Sequence, residues 1–184
     1  MPRLTARAHA AVRAVVAAGD TVIDATAGNG RDTSFLAGVV GPTGRVFAFD
    51  IQAEALARTA ERLGSAPHVT LLKRNHAEMG DAIPAEHRGR VAAVMFNLGY
   101  LPGGDHSIAT RAGSTRTAMA AALDLLRPGG VLTVLTYPGH AGGAEEAAAV
   151  AETLAPLGAH EHRGEWDGPA APRLFVVHKR SAPE

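Results

Sequence analysis

The sequence contains no cysteine, which excludes disulfides, thiolate metal sites and a cysteine nucleophile. Such a chain suits a reducing compartment, and a cytoplasmic location is the expectation. No apolar run approaches the ~18 residues of a membrane span, so no membrane association is expected. The opening Met1-Pro2-Arg3-Leu4-Thr5-Ala6-Arg7 leads into an alanine- and arginine-rich stretch, unlike the apolar centre of a secretory signal. Net charge is also missing: 18 basic residues balance 18 acidic ones. That removes the commonest sign of a nucleic-acid-binding protein, a large basic excess, but leaves room for a local basic patch. Lysine is nearly absent, with only Lys73 and Lys179. What remains is an ordinary globular balance, 46% hydrophobic and 20% charged, which argues against wholesale disorder. The 184 residues suit one domain, residues 1–184, with no repeat and no linker.

Five short, nearly continuous apolar runs read as strands: residues 21–25, 45–50, 69–73, 91–97 and 131–137. The last follows a Pro128-Gly129-Gly130 turn. Strands buried on both faces of a parallel sheet have this character. Helical segments at 5–18, 31–38, 52–63, 114–126 and 143–155 lie around them, several closed by glycine or proline. The helix at 5–18 either covers the sheet or forms an interface, so a homodimer is possible. Near the end, Leu174-Phe175-Val176-Val177 is a further strand and His160 to Trp166 another, joined by a turn at 167–172. The alternation with a closing hairpin predicts an α/β fold: a Rossmann-like, doubly wound, mostly parallel seven-stranded sheet with a C-terminal antiparallel hairpin strand.

Asp24-Ala25-Thr26-Ala27-Gly28-Asn29-Gly30 ends the first strand and opens a helix. Glycines at that point let the backbone approach a ligand. Asp50 stands twenty residues beyond Gly30, at the tip of the second strand, where a carboxylate accepts both ribose hydroxyls of an adenosine cofactor. A dinucleotide site would carry a third glycine at position 33; the chain has Thr33, and Asp32 stands where a pyrophosphate would sit. Negative charge there repels phosphate and suits an ammonium and a sulfonium. The D-x-T-x-G-x-G form resembles motif I of class I S-adenosylmethionine (SAM) methyltransferases. After the third strand, His76 of Asn75-His76-Ala77-Glu78 either meets the cofactor's adenine or caps the next helix.

The loop Asn97-Leu98-Gly99-Tyr100-Leu101-Pro102-Gly103-Gly104-Asp105 follows the fourth strand, beside the crevice where open parallel sheets bind ligands. Its Asn-x-x-Tyr form resembles, in part, the Asn/Asp-Pro-Pro-Tyr loop of enzymes that methylate exocyclic amines. In such loops the amide oxygen accepts the amine's N–H and the aromatic ring stacks on the base. Asp105 is placed to accept or orient the amine's proton, unless 102–105 is only a turn. Tyr137 and His140, after the fifth strand, either face a substrate base or belong to a glycine-rich helix entry.

Leu4-Thr5 with His9, Asp24 to Gly30 with Asp32-Thr33, Phe49-Asp50-Ile51-Gln52, Asn97 to Asp105, and Tyr137-x-Gly-His-x-Gly-Gly143 together resemble the YtqB/MnmM family. The resemblance runs in order along nearly the whole chain. It implies a SAM-dependent methyltransferase of the tRNA anticodon stem-loop. The reaction it implies methylates the amine of 5-aminomethyl-2-thiouridine at position 34 to the 5-methylaminomethyl form, releases S-adenosyl-L-homocysteine (SAH) and uses no metal. Its cofactor residues would be Asp24, Thr26, Gly28, Asn29, Gly30, Asp32, Thr33, Asp50, Ile51, Gln52, His76, Asn97 and Leu98. Asn97, Tyr100 and Asp105 would be catalytic, and Tyr100, Asp105, Tyr137 and His140 would surround the uridine. His9 either packs beside the site or is a core histidine. His106 and the 167–172 turn depart from the family pattern, on the RNA side of the site.

Phosphate contacts need only a few local cations. Arg3, Arg7, Arg31, Arg111 and Arg116 are the candidates. Other readings are a methyltransferase of another RNA site or of a small amine, and a non-catalytic SAM-binding module. An NAD-dependent enzyme is disfavoured by Asp32 and Thr33.

Overall fold

The computed structural model describes residues 3–101, 103, 108–164 and 168–180. Strands β1 (Thr21–Asp24), β2 (Arg45–Asp50), β3 (Val69–Lys73), β4 (Val91–Asn97), β5 (Leu126–Thr136), β6 (His160–Arg163) and β7 (Arg173–His178) form one sheet in the order β3-β2-β1-β4-β5-β7-β6. β1 to β5 pair in parallel, whereas β7 runs antiparallel to both β5 and β6. The final hairpin therefore enters the sheet with its second strand inside and its first at the edge.

Helices α1 (Leu4–Arg13), α2 (Arg31–Val40) and α3 (Ala53–Leu63) accompany the first half of the sheet. The short α4 (Met79–Ala82) and the longer α5 (Ala112–Leu125) and α6 (Gly143–Leu154) belong to the other half. Alternate strand residues face opposite layers, as the pleat requires. Val46, Met95 and Val176 join Val12, Leu36 and Val40 in one apolar cluster. Phe47, Phe49, Phe96 and Phe175 join Met79, Met119 and Leu154 in the other. Two covered faces explain why the strands read as continuous apolar runs. α1 buries Ala8 and Val12 and packs on β5 and β7, so its apolar side covers the sheet.

Most boundaries fall within two residues of the sequence reading, and the larger differences have physical causes. α1 stops at Arg13 rather than running to 18. The guanidinium of Arg127 donates to Asp20 Oδ1 at 2.7 Å and to the Val15 carbonyl at 3.0 Å, and Asp20 Oδ2 accepts from the Ala17 amide. Those bonds hold residues 14–20 in a turn. β5 begins at Leu126, and the Pro-Gly-Gly segment is absorbed as a wide bulge: pairing jumps from Val91–Leu126 to Ala93–Val131. Gly129, with φ of 76°, makes that bulge possible. Between β3 and β4 the chain adds two 3-10 turns, His76–Glu78 and Ala85–His87, around α4. They are too short for a periodic signal, and buried Met79 and Ile83 tie them to the core. The 160–166 strand ends at Arg163; Trp166 and part of the 167–172 turn lie outside the described residues.

Among the described residues no helix is long and apolar enough to cross a membrane.

Candidate active site

A cavity of about 750 Å³ opens at the C-terminal ends of β1, β2, β4 and β5. Between β1 and β4 the strand order reverses, the position at which open α/β sheets bind ligands. The volume lies in the upper part of the ~300–1,000 Å³ range of ligand pockets. Its inner wall holds Thr26, Gly28, Asn29, Asp32, Asp50, Ile51, Gln52 and His76, and its outer wall Asn97, Leu98, Tyr100, Tyr137 and His140.

The glycine loop is built from behind. Asp24 is wholly buried; its Oδ1 accepts from the Thr26 amide at 3.0 Å and its Oδ2 from the Thr33 hydroxyl at 2.6 Å. Neither Asp24 nor Thr33 reaches the cavity wall. Both shape the loop rather than face a ligand, a correction to their assignment as cofactor contacts. Gly30 is likewise off the wall. A Cβ on it would lie 2.8 Å from the Thr59 backbone of α3, and its φ is 75°. The close approach that demands glycine there is to a helix, not to a ligand.

Asp50 completes the loop. Its Oδ2 accepts from the Gly28 amide at 3.0 Å and its Oδ1 from the Gln52 amide at 2.9 Å. A carboxylate has about four lone-pair sites, so each oxygen retains capacity to accept from the cavity. Ile51 next to it is 47% exposed, an apolar surface that a bound adenine would cover. The capping alternative for His76 is settled in favour of its neighbour. Asn75 Oδ1 accepts from the Ala77 amide and Glu78 returns the bond to the Asn75 amide, while the His76 ring is buried edge-on to Phe96.

Two buried groups titrate in opposite directions. Burial, with added repulsion from Asp32 and more weakly Asp50, pushes the Asp24 carboxyl up to about 7. Burial pulls His76 down to about 4, against a hydrogen bond with the Ala25 backbone. Asp24 thus contributes stability below its unfolded value near 3.8 and loses it as pH rises to about 7. His76 contributes above its unfolded value near 6.5 and loses it as pH falls to about 4. Across the shared window the slopes offset, and stability of the cofactor-free protein is expected to change little. Asp24→Asn should expose a rise in Tm with pH between those limits, and His76→Gln a fall. Thermal melts from pH 4.5 to 6.5 check this; equal slopes in both variants reject it.

On the outer wall, Asn97 ends β4 with its amide N–H donating to Thr26 Oγ1 at 2.8 Å. Its side-chain Nδ2 donates to Asp32 Oδ2 at 3.3 Å. The loop beyond is pinned by residues the sequence reading missed. The Gly99 amide donates to Thr110 Oγ1 at 2.8 Å, and that hydroxyl donates to the buried Glu146 at 2.7 Å. Glu146 also accepts from Thr115 at 2.6 Å. From the other side Arg58 ties the Asn29 side chain, at 3.1 Å, to the Gly103 carbonyl, at 3.3 Å. Only the apolar spacing of α6 bore on Glu146, since a glutamate in a helix reads as a surface charge. Tyr100 meets His140 edge-on at 5.7 Å. Burial, then Asp32, raises the Tyr137 hydroxyl. Asp105 and His106 lie outside the described residues.

The residues present suit SAM. Asp32 and Asp50 offer negative charge for an ammonium or sulfonium and acceptors for ribose. His76 lines the cavity, and its Nε2 is a buried nitrogen with no hydrogen-bond partner among the described residues. Among the described residues no cluster of three His, Asp or Glu side chains could hold a metal ion.

Comparison with known proteins agrees with this geometry. A family profile described as "Putative rRNA methylase" matches residues 46–164. The chloroplastic tRNA (mnm5s2U34)-methyltransferase of Arabidopsis thaliana is 38% identical, covering 97% of this chain and 70% of that protein. A crystal structure of a Clostridium thermocellum protein described as a "putative rRNA-methylase" superposes with a TM-score of 0.87 at 41% identity, covering 97% of this chain and 98% of that one. A "putative methyltransferase" of Streptococcus mutans, solved with SAH, gives a TM-score of 0.84 at 29% identity, over 97% and 99% of the two chains. Likeness that extends over nearly the full chain, and includes the strands and loops that build the cavity, identifies its family: the chain belongs to the YtqB/MnmM methyltransferases.

Proposed function

We infer that this protein is a SAM-dependent N-methyltransferase of tRNA, acting on the aminomethyl group of 5-aminomethyl-2-thiouridine at position 34. One observation carries the reading beyond the likeness to the Arabidopsis enzyme. The Asn97 amide is held by Asp32 at the point where the acidic inner wall meets the aromatic outer wall of Tyr100, Tyr137 and His140. SAM, when bound, supplies an activated methyl group, and SAH is the product. Asp50, Ile51, Gln52 and His76 hold the adenosine end, while Asp32 faces the cationic end. Asn97 Oδ1 accepts an N–H of the substrate amine and so directs its lone pair. Tyr100 and Tyr137, each more than a third exposed, offer rings to a base displaced from the anticodon loop, where stacking on aromatics is the usual mode. Asp105 is our candidate for the proton acceptor, because only the neutral amine has a lone pair to donate. The partner we assign is the anticodon stem-loop, met in the cytoplasm, with residues 1–184 acting as one methyltransferase domain.

The arginines sort themselves for this role. Arg116 is paired with Glu152 at 2.6 Å and Arg7 donates to His162 at 3.1 Å. Arg31, Arg111 and the unforeseen Arg74 line the cavity mouth, all exposed. Replacing those three by alanine is expected to weaken tRNA binding at every salt concentration. It should also lower the slope of log K against log salt by about 2, at ~0.7 per single-strand phosphate contact. Filter binding from 50 to 300 mM salt tests it, and an unchanged slope rejects the assignment.

The deciding experiment is nucleoside mass spectrometry after incubation with deuteromethyl-labelled SAM and tRNA carrying 5-aminomethyl-2-thiouridine. Labelled 5-methylaminomethyl-2-thiouridine is the expected product. Its absence with SAM binding intact would redirect the assignment to another RNA site, a small amine, or a non-catalytic SAM-binding role.

A further inference from the structure

His9 lies on α1, outside the strand-end loops that form the cavity, and does not line it. It is nonetheless wired to the reacting end. Its ring stacks on Phe35 of α2 with centroids 3.7 Å apart and planes 5° from parallel. Its Nε2 lies 2.7 Å from Asp32 Oδ1. Asp32 is 7% exposed, and its other oxygen accepts from Asn97 Nδ2 at 3.3 Å. Since an ionised carboxylate only accepts, His9 must carry its proton on Nε2, whatever the state of Nδ1. The same rule fixes Asn97. An amide facing a carboxylate must present its NH2, and the Oδ1 atom is left for the cavity.

The two bonds differ in strength of geometry. The His9 bond, at 2.7 Å, is short and carries a nearly buried carboxylate, whereas the Asn97 bond, at 3.3 Å, is slightly longer than the usual N–H···O range. Without His9 the Asp32 carboxylate would lose its shorter anchor and turn about its χ2, and Asn97 would lose the partner that decides which of its ends faces inward. The three side chains come from two helices and a strand: His9 from α1, Asp32 from the first turn of α2, Asn97 from the end of β4. Phe35 sets the His9 ring plane, and Thr26 sets the Asn97 backbone.

We propose that His9 is a positioning residue that, through Asp32, orients the Asn97 amide with Oδ1 toward the substrate amine. The inference rests on the proposed N-methylation for its kinetic consequences, but not for the orientation itself. Two variants separate donor from shape. His9→Phe keeps an aromatic ring on Phe35 and removes the donor. His9→Gln places an amide N–H close to where Nε2 stood.

In the cofactor-free protein, the side-chain NH2 resonances of Asn97 in a 1H–15N spectrum are expected to shift in His9→Phe and to return toward wild type in His9→Gln. With tRNA, His9→Phe should lower kcat by about 10-fold or more, as small misplacements of a reacting group do. Its KM for tRNA should stay near wild type, its SAM affinity, which also depends on Asp32, should fall by less than kcat does, and His9→Gln should recover most of the loss. In an Asn97→Ala background, His9→Phe should lower kcat far less than in the wild type, because most of its effect passes through Asn97. Unmoved Asn97 resonances in His9→Phe, an equal loss in His9→Gln, or a full additional loss in the Asn97→Ala background would each overturn the proposal. Failure of the wild-type protein to methylate the aminomethyl tRNA would sink the functional reading instead, while the spectra still decide the orientation of Asn97.

Discussion

Asn97→Ala should lower kcat for tRNA methylation by about 100-fold or more, with SAM affinity held within about 3-fold, since orientation of the reacting group is the term removed. The expectation follows from its two anchors. The backbone amide is fixed by Thr26 and the side-chain amide by Asp32, so one oxygen is presented at a defined place. A sulfonium methyl needs little activation and a neutral amine is already nucleophilic, which leaves alignment as the largest contribution the protein can make. Single-turnover kinetics with labelled SAM, beside a calorimetric titration of SAH, separate the two quantities. A proportional loss in both would move Asn97 from the amine to the cofactor. Asn97→Asp makes a sharper comparison: it would set a carboxylate against Asp32, so a still greater loss is expected despite the smaller change in shape.

Asp50→Ala should weaken SAM affinity by about 100-fold, because hydrogen bonds to a charged acceptor are worth ~1.5–3 kcal/mol each. Two effects combine in that figure. The ribose acceptor is lost, and the Gly28 and Gln52 amides lose the carboxylate that holds them. Asp50→Asn separates these. It keeps one acceptor oxygen for the loop but removes the charge and half the acceptor capacity, and an intermediate affinity is expected. Isothermal titration with SAM and SAH gives the answer directly. Unchanged affinity in Asp50→Ala would remove Asp50 from the cofactor site. Unchanged affinity in Asp50→Asn alone would assign its effect to loop support.

The strand cores were readable because burial on both faces leaves a continuous apolar run, and the glycine loop because its spacing follows directly on β1. Segments 76–87 and 14–20 were not readable. The first is held by isolated anchors such as Met79 and Ile83, and the second by a distant arginine, Arg127. Asp24, Gly30 and Thr33 show the limit of motif reading within the site. Their spacing marked the right loop, but a motif does not tell a residue that touches a ligand from one that supports it. Asp24 and Thr33 turn inward to bond each other, and Gly30 yields to the backbone of Thr59.

Composition, run length and local spacing, which depend only on neighbours along the chain, determined the α/β alternation, the acidic glycine loop with Asp50, and the Asn-x-x-Tyr loop. The tertiary structure decided the order of strands and the insertion of β7 between β5 and β6. It also decided the pairing of Glu146 with Thr110 and Thr115 and the line from His9 through Asp32 to Asn97. Those contacts join residues on different elements, up to 65 positions apart in the case of Asp32 and Asn97. A buried polar group must find its partner wherever the fold brings one within about 3 Å, and no periodicity along the chain records where that will be.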